Sequence, residues 1–518
     1  MKKYIQLFTV TILLVNASCK TTRNITTTTK DDGKIEIVFV QVNDVYEIAP
    51  VAGGKEGGMA RVATLKKQYK QANPNTFLVM SGDFVSPSVY NSLKYQGKSI
   101  RGAQMIESMN AAGMDFVVFG NHEFDISEKE LQERINESTF TWVSSNTFHK
   151  FKDSIVAFTK TGIPGAVPFP ETFIMNVRDN DGTTAKIGFI GLTLSSNPAE
   201  YVSYKDPLVT AKTLYDRLKD SVDAVVAITH QAIDDDMTLA KELPKLAAIL
   251  GGHEHSMVFN KTGNVYITKA HSNARSAYVI KVRVDKNKHN FTVPRPELKS
   301  IDTTVAFDST ANVVVQKWVK IAQDNYASLG FDAQKIVLQT GEPLEGRETE
   351  TRATSTNFTR LITQAIAFAC PQADAVLFNS GSLRLDDILT PPISQYDIIR
   401  SLPFGGGITE VDMKGSLLIQ VLQTGMKNSN SGGFLQFQPV VYNKSANTFL
   451  LNNAPIDPAK TYRVAITEFL LSGKEANLSF LNTKNPEITK VYSSQTAVAG
   501  DPKSDIRLAI IKYLESKQ

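Results

Sequence analysis

Short apolar runs that end abruptly in polar residues recur along the first half of the chain. Five of them have the length and composition of buried β-strands, at 35–42, 77–80, 116–119, 224–229 and 246–250. Helical patterns lie between several of these runs, for example at 59–71 and 102–112. This alternation predicts an α/β sheet, in which functional residues collect at the carboxyl ends of the strands.

A second unit with its own strand-like runs, at 375–378 and 462–466, follows the first. Between the two units, apolar residues recur every three to four positions within 309–329, which predicts a connecting helix. The predicted organisation therefore has three parts: a first domain at 34–304, a linker helix within 305–332 and a second domain at 333–518.

Residues 1–18 have the pattern of a signal peptide. Two lysines precede an apolar run at 5–15, which is too short to span a membrane but has the length of a signal-peptide core. The small residues Ala17 and Ser18 then lead to Cys19, an order that resembles a bacterial lipoprotein signal. A plain secretory signal is the alternative.

A polar, Thr-rich tether at 19–33 separates this signal from the first predicted strand. If Cys19 is lipidated, the lipid would hold an otherwise extracytoplasmic protein to a membrane, in the periplasm or at the outer membrane. With a plain signal, the protein would be secreted to the periplasm. Membrane contact is expected only through this anchor.

Charge and cysteine content limit the possible partners and metal ligands. The 518 residues include 56 Lys and Arg against 52 Asp and Glu, and a net charge of +4 does not suggest a nucleic-acid polymer as partner. Two cysteines cannot form a disulfide scaffold or a Cys-rich zinc site. Any metal must therefore be held mainly by His, Asp and Asn, and only seven histidines are available.

Four of the seven histidines follow predicted strands, together with two aspartates and an asparagine. Hard divalent ions need oxygen or imidazole donors that converge on a small volume. Each motif alone has an ordinary structural explanation, but the ordered set predicts a metal centre. Its candidate residues are Asp44, Asp83, Asn121, His122, His230, His253 and His255.

These motifs resemble those of the calcineurin-like metallophosphoesterases, and more narrowly of the 5′-nucleotidase family. The resemblance in the first unit rests on Asn-Asp at 43–44, Gly-Asp at 82–83, Gly-Asn-His-Glu-Phe-Asp at 120–125, His230 and Gly-Gly-His-Glu-His at 251–255. In the second unit it rests on the motifs at 379–384, 402–404, 432–436 and 462–465. The implied fold is a β-sandwich flanked by helices, joined by a helix to an α/β substrate-binding domain.

The resemblance implies two divalent ions, such as Zn²⁺, Mn²⁺ or Co²⁺, with Asp83 bridging both. One ion would be completed by Asn121, His230 and His253, and the other by Asp44 and His255. Water held between the ions would be the nucleophile. His122 would contact the phosphate, oriented by Asp125, because a positive imidazolium offsets charge that develops on a phosphoryl oxygen.

The chain departs from the family motif at one position. The usual Asp-x-His is Asp44-Val45-Tyr46 here, so one imidazole ligand is missing. Tyr46 is a candidate metal ligand as a phenolate, or a water takes its place, and Glu47 is a further possible donor.

In the second unit, the resemblance assigns phosphate or ribose contacts to Arg352, Asn379 and Arg384. Phe404 and Phe469 match two aromatics that sandwich a nucleobase. The family's Gly-Gly-Asp is Gly-Lys-Glu here, so Glu475 would replace the Asp. A non-nucleotide substrate therefore stays open.

The expected function is extracytoplasmic release of phosphate from nucleoside 5′-monophosphates or related nucleotides. Relatives implied by the resemblance act on nucleotide sugars, cyclic nucleotides or a sulfur-carrier thiosulfonate, and these are alternatives. A non-catalytic nucleotide-binding lipoprotein is a third possibility, although binding alone does not need the His122–Asp125 pair. Closure of the second unit over the first is also expected. The oligomeric state stays open.

Overall fold

The computed structural model describes residues 30–162, 165–196, 199–492 and 500–517. The predicted signal peptide, Cys19 and all but the last residues of the predicted tether lie outside the described residues. Among the residues that are described, no helix is long and apolar enough to cross a membrane.

Two large sheets form the core of the first unit. The first sheet contains, in spatial order, Asn290–Thr292, Ser276–Asp285, Lys34–Val42, Thr76–Ser81, Phe116–Val118 and Thr141–Trp142. Its last four strands are parallel to one another. Ser276–Asp285 is antiparallel to Lys34–Val42 and also pairs with Glu297–Ser300. The second sheet contains Thr172–Arg178, Thr184–Thr193, Ala224–His230, Ala248–Gly252, Val265–Lys269 and Val258–Thr262. The four inner strands of the second sheet are parallel and its two edge strands are antiparallel to them.

The two sheets pack face to face around an aromatic core. The Phe116 ring stacks on Phe189 of the facing sheet at 5.0 Å between centroids, and Phe39 meets Phe189 edge-on at 5.8 Å. Such strands are apolar on both faces because helices cover the outer faces as well. The first sheet is covered by Met59–Ala72, Ala103–Ala112 and Ser309–Ser328, and the second by Pro207–Leu218 and Ile233–Glu242.

The carboxyl ends of the two sheets meet at one edge of this sandwich. The Ser81 hydroxyl, at the end of a first-sheet strand, donates to the carbonyl of Leu250 in the second sheet over 2.9 Å. Gln41 donates from the first sheet to the Gly251 carbonyl over 2.8 Å. Polar residues that follow strands of both sheets therefore arrive at one place.

The second unit has a five-stranded sheet. Its strands are Leu435–Gln438, Ala375–Asn379, Thr461–Thr467, Ile408–Lys414 and Ile488–Val491 in spatial order. Its longer helices are Asn357–Ala369, Gly415–Lys427 and Ile506–Glu515. Shorter helices at Glu348–Thr351, Gln395–Ser401 and Glu468–Leu471 border the loops discussed below.

The helix Ser309–Ser328 connects the units and buries Trp318 and Tyr326. One apolar core runs from the outer face of the first sheet, past these two rings, into the second unit. The predicted fold class, a helix-flanked sandwich joined by a helix to a smaller α/β unit, is confirmed.

Candidate active site

Several candidate residues have unusual backbone geometry at the ends of the strands. Asp44, Asp83, His253 and His255 all have positive φ angles, of 52°, 56°, 92° and 55°. Residues other than glycine rarely adopt this left-handed backbone conformation. It costs of order 1–3 kcal/mol and persists only where the surrounding structure imposes it. Gly120 allows the tight approach, since a Cβ there would lie 2.0 Å from Asp83 Oδ1.

Asp44, Asp83 and His230 form the buried centre of this edge. One potential ligand atom from each lies within 4.8 Å of the others. His230 Nε2 is 3.2 Å from Asp83 Oδ2 and 3.9 Å from Asp44 Oδ1. The Ser81 carbonyl, 2.8 Å from His230 Nδ1, fixes the ring so that Nε2 points at the carboxylates.

Three buried polar atoms of the predicted metal ligands have no hydrogen-bond partner among the described residues. They are Asp44 Oδ1, Asn121 Oδ1 and His230 Nε2. Buried polar atoms in folded proteins are nearly always paired, and binding of an ion is a standard reason for an exception. Carboxylate oxygens of Asp44 and Asp83 and an imidazole nitrogen of His230, all within 4.8 Å of one another, suit a divalent transition metal. The residues therefore fit the metal centre that the motifs predict.

The electrostatics of the centre favour positive charge. Burial opposes protonation of His230, yet Asp83 and Asp44 outweigh it and raise the pKa of His230 to about 10. The pKa of Asp83 is lowered, because His230 and His122 overcome the opposing effect of burial. His253, whose ring centroid is 5.4 Å from that of His230, has its pKa lowered to about 3 by burial and by His230. The Asp83 and Asp44 carboxylates thus favour positive charge at His230, whereas the site disfavours it at His253.

Tyr46 lies between the centre and His255. Its hydroxyl is 2.7 Å from His255 Nε2 and 3.3 Å from Asp83 Oδ2. Burial first, and then Asp83 and Asp44, raise the pKa of Tyr46 well above its usual value. The Glu47 carboxylate accepts a hydrogen bond of 2.6 Å from Tyr396 of the second unit.

His122 lies beside the centre and pairs with Asp125, as the resemblance implies. His122 Nδ1 is 2.7 Å from Asp125 Oδ2, and the backbone N–H of His122 donates to Asp83 Oδ1 over 2.8 Å. Burial lowers the pKa of His122, but Asp83 and Asp125 outweigh it, so the net shift is upward. His122 Nε2 points to the second unit, where Arg384 Nη2 lies 3.1 Å away.

Glu123 belongs to the Gly-Asn-His-Glu-Phe-Asp motif at 120–125, and the sequence alone indicates no role for it. Its buried carboxylate accepts backbone hydrogen bonds from Asp83, Phe84, Val85 and Gly120, at 2.5 to 3.0 Å. Because these bonds hold the Asp83 and Asn121 turns together, Glu123 organises the site without facing it.

The second unit brings its two predicted arginines to one carboxylate. Glu348 Oε1 lies 2.5 Å from Arg352 and 3.3 Å from Arg384. Glu348 was not predicted, nor was Asp386, whose carboxylate lies 2.5 Å from His255 Nδ1. Neither residue has a local sequence signal, apart from the position of Asp386 two residues after Arg384.

The remaining predicted substrate residues are the hydrogen-bonded pair Asn379 and Glu475 and two exposed aromatic rings. Asn379 donates to Glu475 over 2.7 Å, so the replacement for the family's Asp reaches the Asn of the neighbouring motif. Phe404 is 56% exposed and follows the helix Gln395–Ser401. Phe469 is 45% exposed and lies in the short helix Glu468–Leu471. Rings that are this exposed are not core packing, which leaves them free to bind a ligand.

Two known domain families match the chain. Residues 37–257 match the calcineurin-like phosphoesterase family, and residues 336–482 match the 5′-nucleotidase C-terminal domain. The first match contains the predicted metal residues, and the second contains the predicted substrate residues.

Known proteins are similar to this chain in sequence, and a solved structure is similar in fold. The 5′-nucleotidase of Bos taurus is 23% identical over 475 residues, which cover 80% of this chain and 78% of that protein. Protein UshA of Yersinia enterocolitica is 26% identical over 506 residues, covering 85% and 86%. The fold matches the crystal structure of a 5′-nucleotidase precursor from Thermus thermophilus, with a TM-score of 0.66, 21% identity and coverage of 93% and 97%. With both domain families in this order, the chain belongs to the 5′-nucleotidase family of metallophosphoesterases, which are phosphoester hydrolases.

Proposed function

We propose that the protein releases phosphate from nucleoside 5′-monophosphates or closely related nucleotides, using two divalent ions. One observation carries this proposal: the buried centre of Asp44, Asp83 and His230 has unpaired ligand atoms, and His122 beside it lies 3.1 Å from Arg384 of the second unit. A phosphate bound between the units would meet positive groups from both.

The proposed ligands are those of the family motif. Asp83 would contact both ions. Asn121, His230 and His253 would complete the site of one ion, and Asp44 and His255 would complete the site of the other. When bound, the ions supply Lewis acidity toward phosphoryl oxygens and lower the pKa of a coordinated water. Tyr46 is the weakest candidate, since its pKa is raised.

The chain's own groups would bind and orient the phosphate. His122, held at Nδ1 by Asp125 and with its pKa raised, would donate a hydrogen bond from Nε2 to a phosphoryl oxygen. Arg384, beside His122 Nε2, would donate to the same group, and Arg352 would exchange its bond to Glu348 for one to substrate. Phe404 and Phe469 would stack on the base, while Asn379 and Glu475 would bind polar atoms of the nucleoside.

We also propose an extracytoplasmic location with a lipid on Cys19. The support is the sequence pattern of residues 1–19. Cys19→Ala should move the protein from the membrane fraction to the soluble extracytoplasmic fraction. A variant that stays with the membrane would argue against lipidation at Cys19.

The activity is tested by measuring metal content and phosphate release from AMP, a nucleotide sugar, a cyclic nucleotide and an aryl phosphate. Chelation should abolish release, and Mn²⁺ or Co²⁺ should restore it. Asp83→Asn should abolish both metal retention and turnover. His122→Ala should lower kcat by ~10²–10³ with metal still bound, if it acts as an oxyanion-type donor.

His149→Ala is the matched control, since His149 pairs with Glu128 outside the centre. It should leave kcat and metal content unchanged. Full activity of the wild-type protein after exhaustive chelation would overturn the proposed function.

A further inference from the structure

The segment Arg384–Asp387, here called the docking loop, belongs to the second unit but contacts the first. Arg384 lies 3.1 Å from His122, as described. Asp386 lies 2.5 Å from His255, and Asp387 forms an ion pair with Arg275. Three of its four side chains thus join the second unit to the metal-centre edge of the first.

Within this loop, both oxygens of Asp386 are engaged. Oδ1 accepts the backbone N–H of Glu348 over 2.7 Å, at the start of the helix Glu348–Thr351. Oδ2 faces His255 Nδ1. The backbone of Asp386 is left-handed, with φ 44°, which an aspartate adopts only at some cost. The second unit therefore holds this carboxylate rigidly in the direction of His255.

His255 needs such a partner in order to act as a ligand. With Nδ1 held by a carboxylate, the ring presents Nε2 to the centre, where Asp44 Oδ1 is 3.5 Å away. A carboxylate on the far nitrogen fixes the tautomer and raises the basicity of a ligating imidazole. Loss of such a partner typically costs 10–100-fold in metal affinity.

His230 is held differently. Its Nδ1 contacts the Ser81 carbonyl, which belongs to the same unit as His230 itself. The orientation of His230 therefore does not depend on how the two units are placed. The orientation of His255 depends on it, because its partner comes from the other unit.

We propose that Asp386 is a positioning residue that couples docking of the second unit to metal binding by Asp44 and His255. This inference rests on the proposed two-metal function and deepens it. When the units are docked, His255 is oriented and the ion on its side of Asp83 binds more tightly. By thermodynamic reciprocity, that ion strengthens docking by the same factor. The ion on the side of His230 is not coupled in this way.

The test is a Mn²⁺ titration of the metal-free full chain, followed by calorimetry. For Asp386→Ala, the weaker of the two binding constants should fall by ~10–100-fold, and the tighter one should stay within ~2-fold of wild type. Asp386→Glu, which keeps the carboxylate, should recover part of the loss, and Asp386→Asn should recover less. Asp457→Ala is the control, because its contacts stay within the second unit.

Reciprocity gives a second readout that does not involve activity. Mn²⁺ should reduce the radius of gyration of the wild type in X-ray scattering, and this compaction should be smaller in Asp386→Ala. Circular dichroism checks that each variant is folded. Equal metal affinities in the wild type, Asp386→Ala and Asp386→Asn would overturn the coupling. A wild type that binds no ion would instead overturn the proposed function, and the coupling with it.

Discussion

At the scale of single residues, Tyr46 distinguishes this site from the Asp-x-His pattern. Its hydroxyl lies between His255 Nε2 and Asp83 Oδ2, two atoms proposed to bind metal. A neutral phenol is a poor ligand, and burial raises its pKa further. The hydrogen bond to His255 also competes with coordination by the same nitrogen. Tyr46 should therefore weaken the Asp44–His255 side of the centre.

Replacing this residue tests that argument. As purified, the wild type should hold fewer than two equivalents of metal and should be activated by Mn²⁺ or Co²⁺. Tyr46→His adds an imidazole and should raise the metal content toward two equivalents, measured by elemental analysis. Tyr46→Phe is the control, since it removes the hydroxyl without adding a donor. Two tightly held ions in the wild type, unchanged in Tyr46→His, would contradict the argument.

At the scale of elements, the second unit presents one exposed aromatic ring from a turn and another from a short helix. Phe404 follows the helix Gln395–Ser401, and Phe469 is in the short helix Glu468–Leu471. Contact of an exposed aromatic ring with water is unfavourable, and stacking on a base removes that apolar surface from water. Stacking is tolerant of base identity, because every base has a π face. These elements should therefore control affinity for the nucleoside part of a substrate.

Alanine substitution separates stacking from chemistry. Phe404→Ala and Phe469→Ala should each weaken nucleoside monophosphate binding by about 1–3 kcal/mol. Hydrolysis of an aryl phosphate should change less, because the metal centre is untouched. Phe151→Ala, at a 51% exposed ring in the first unit, is the control and should affect neither substrate. Equal losses on both substrates would mean that the rings do not form a base clamp.

At the scale of the whole molecule, the units share both an apolar core and buried polar contacts. The Glu47 carboxylate is buried in the first unit, and Tyr396 donates to it from the second. Burial raises the pKa of Glu47 to about 7, outweighing the hydrogen bond from Tyr396 and the charge of Arg400. The folded protein therefore prefers the neutral carboxyl at this contact.

This shift makes stability depend on pH. The unfolded chain loses the Glu47 proton near 4.5, whereas the folded protein keeps it until about 7. The contribution of the neutral form is thus complete below 4.5 and is lost as the pH rises to about 7. A difference of this size corresponds to roughly 3 kcal/mol. Glu47→Gln should remove this dependence and be the more stable form at about pH 8.

Urea unfolding midpoints at about pH 5 and about pH 8 measure the effect. The glutamine keeps an oxygen that accepts from Tyr396, so the contact between the units is retained. Glu342→Gln, at an exposed carboxylate, is the control and should leave the pH dependence unchanged. The same slope in Glu47→Gln and in the wild type would show that Glu47 is not its source.

The strands of the first unit and the residue types at its centre are predictable from the amino-acid pattern alone. The predicted strands at 35–42 and 224–229 are present as Lys34–Val42 and Ala224–His230. Asp44, Asp83 and His230 follow such strands and do come together. These features are predictable because a buried strand has a local apolar signature, and because parallel strands end at one edge of a sheet.

The contacts between the two units, in contrast, are visible only in the folded protein. Asp386 and Glu348 were not predicted, and Glu47, a possible metal donor from sequence, faces Tyr396, which is 349 positions away in the chain. Contacts of this kind depend on how whole units dock and on which side chains their surfaces oppose. No period or spacing in the chain encodes that placement, since it is set by packing between distant segments and not by the local alternation of apolar and polar residues.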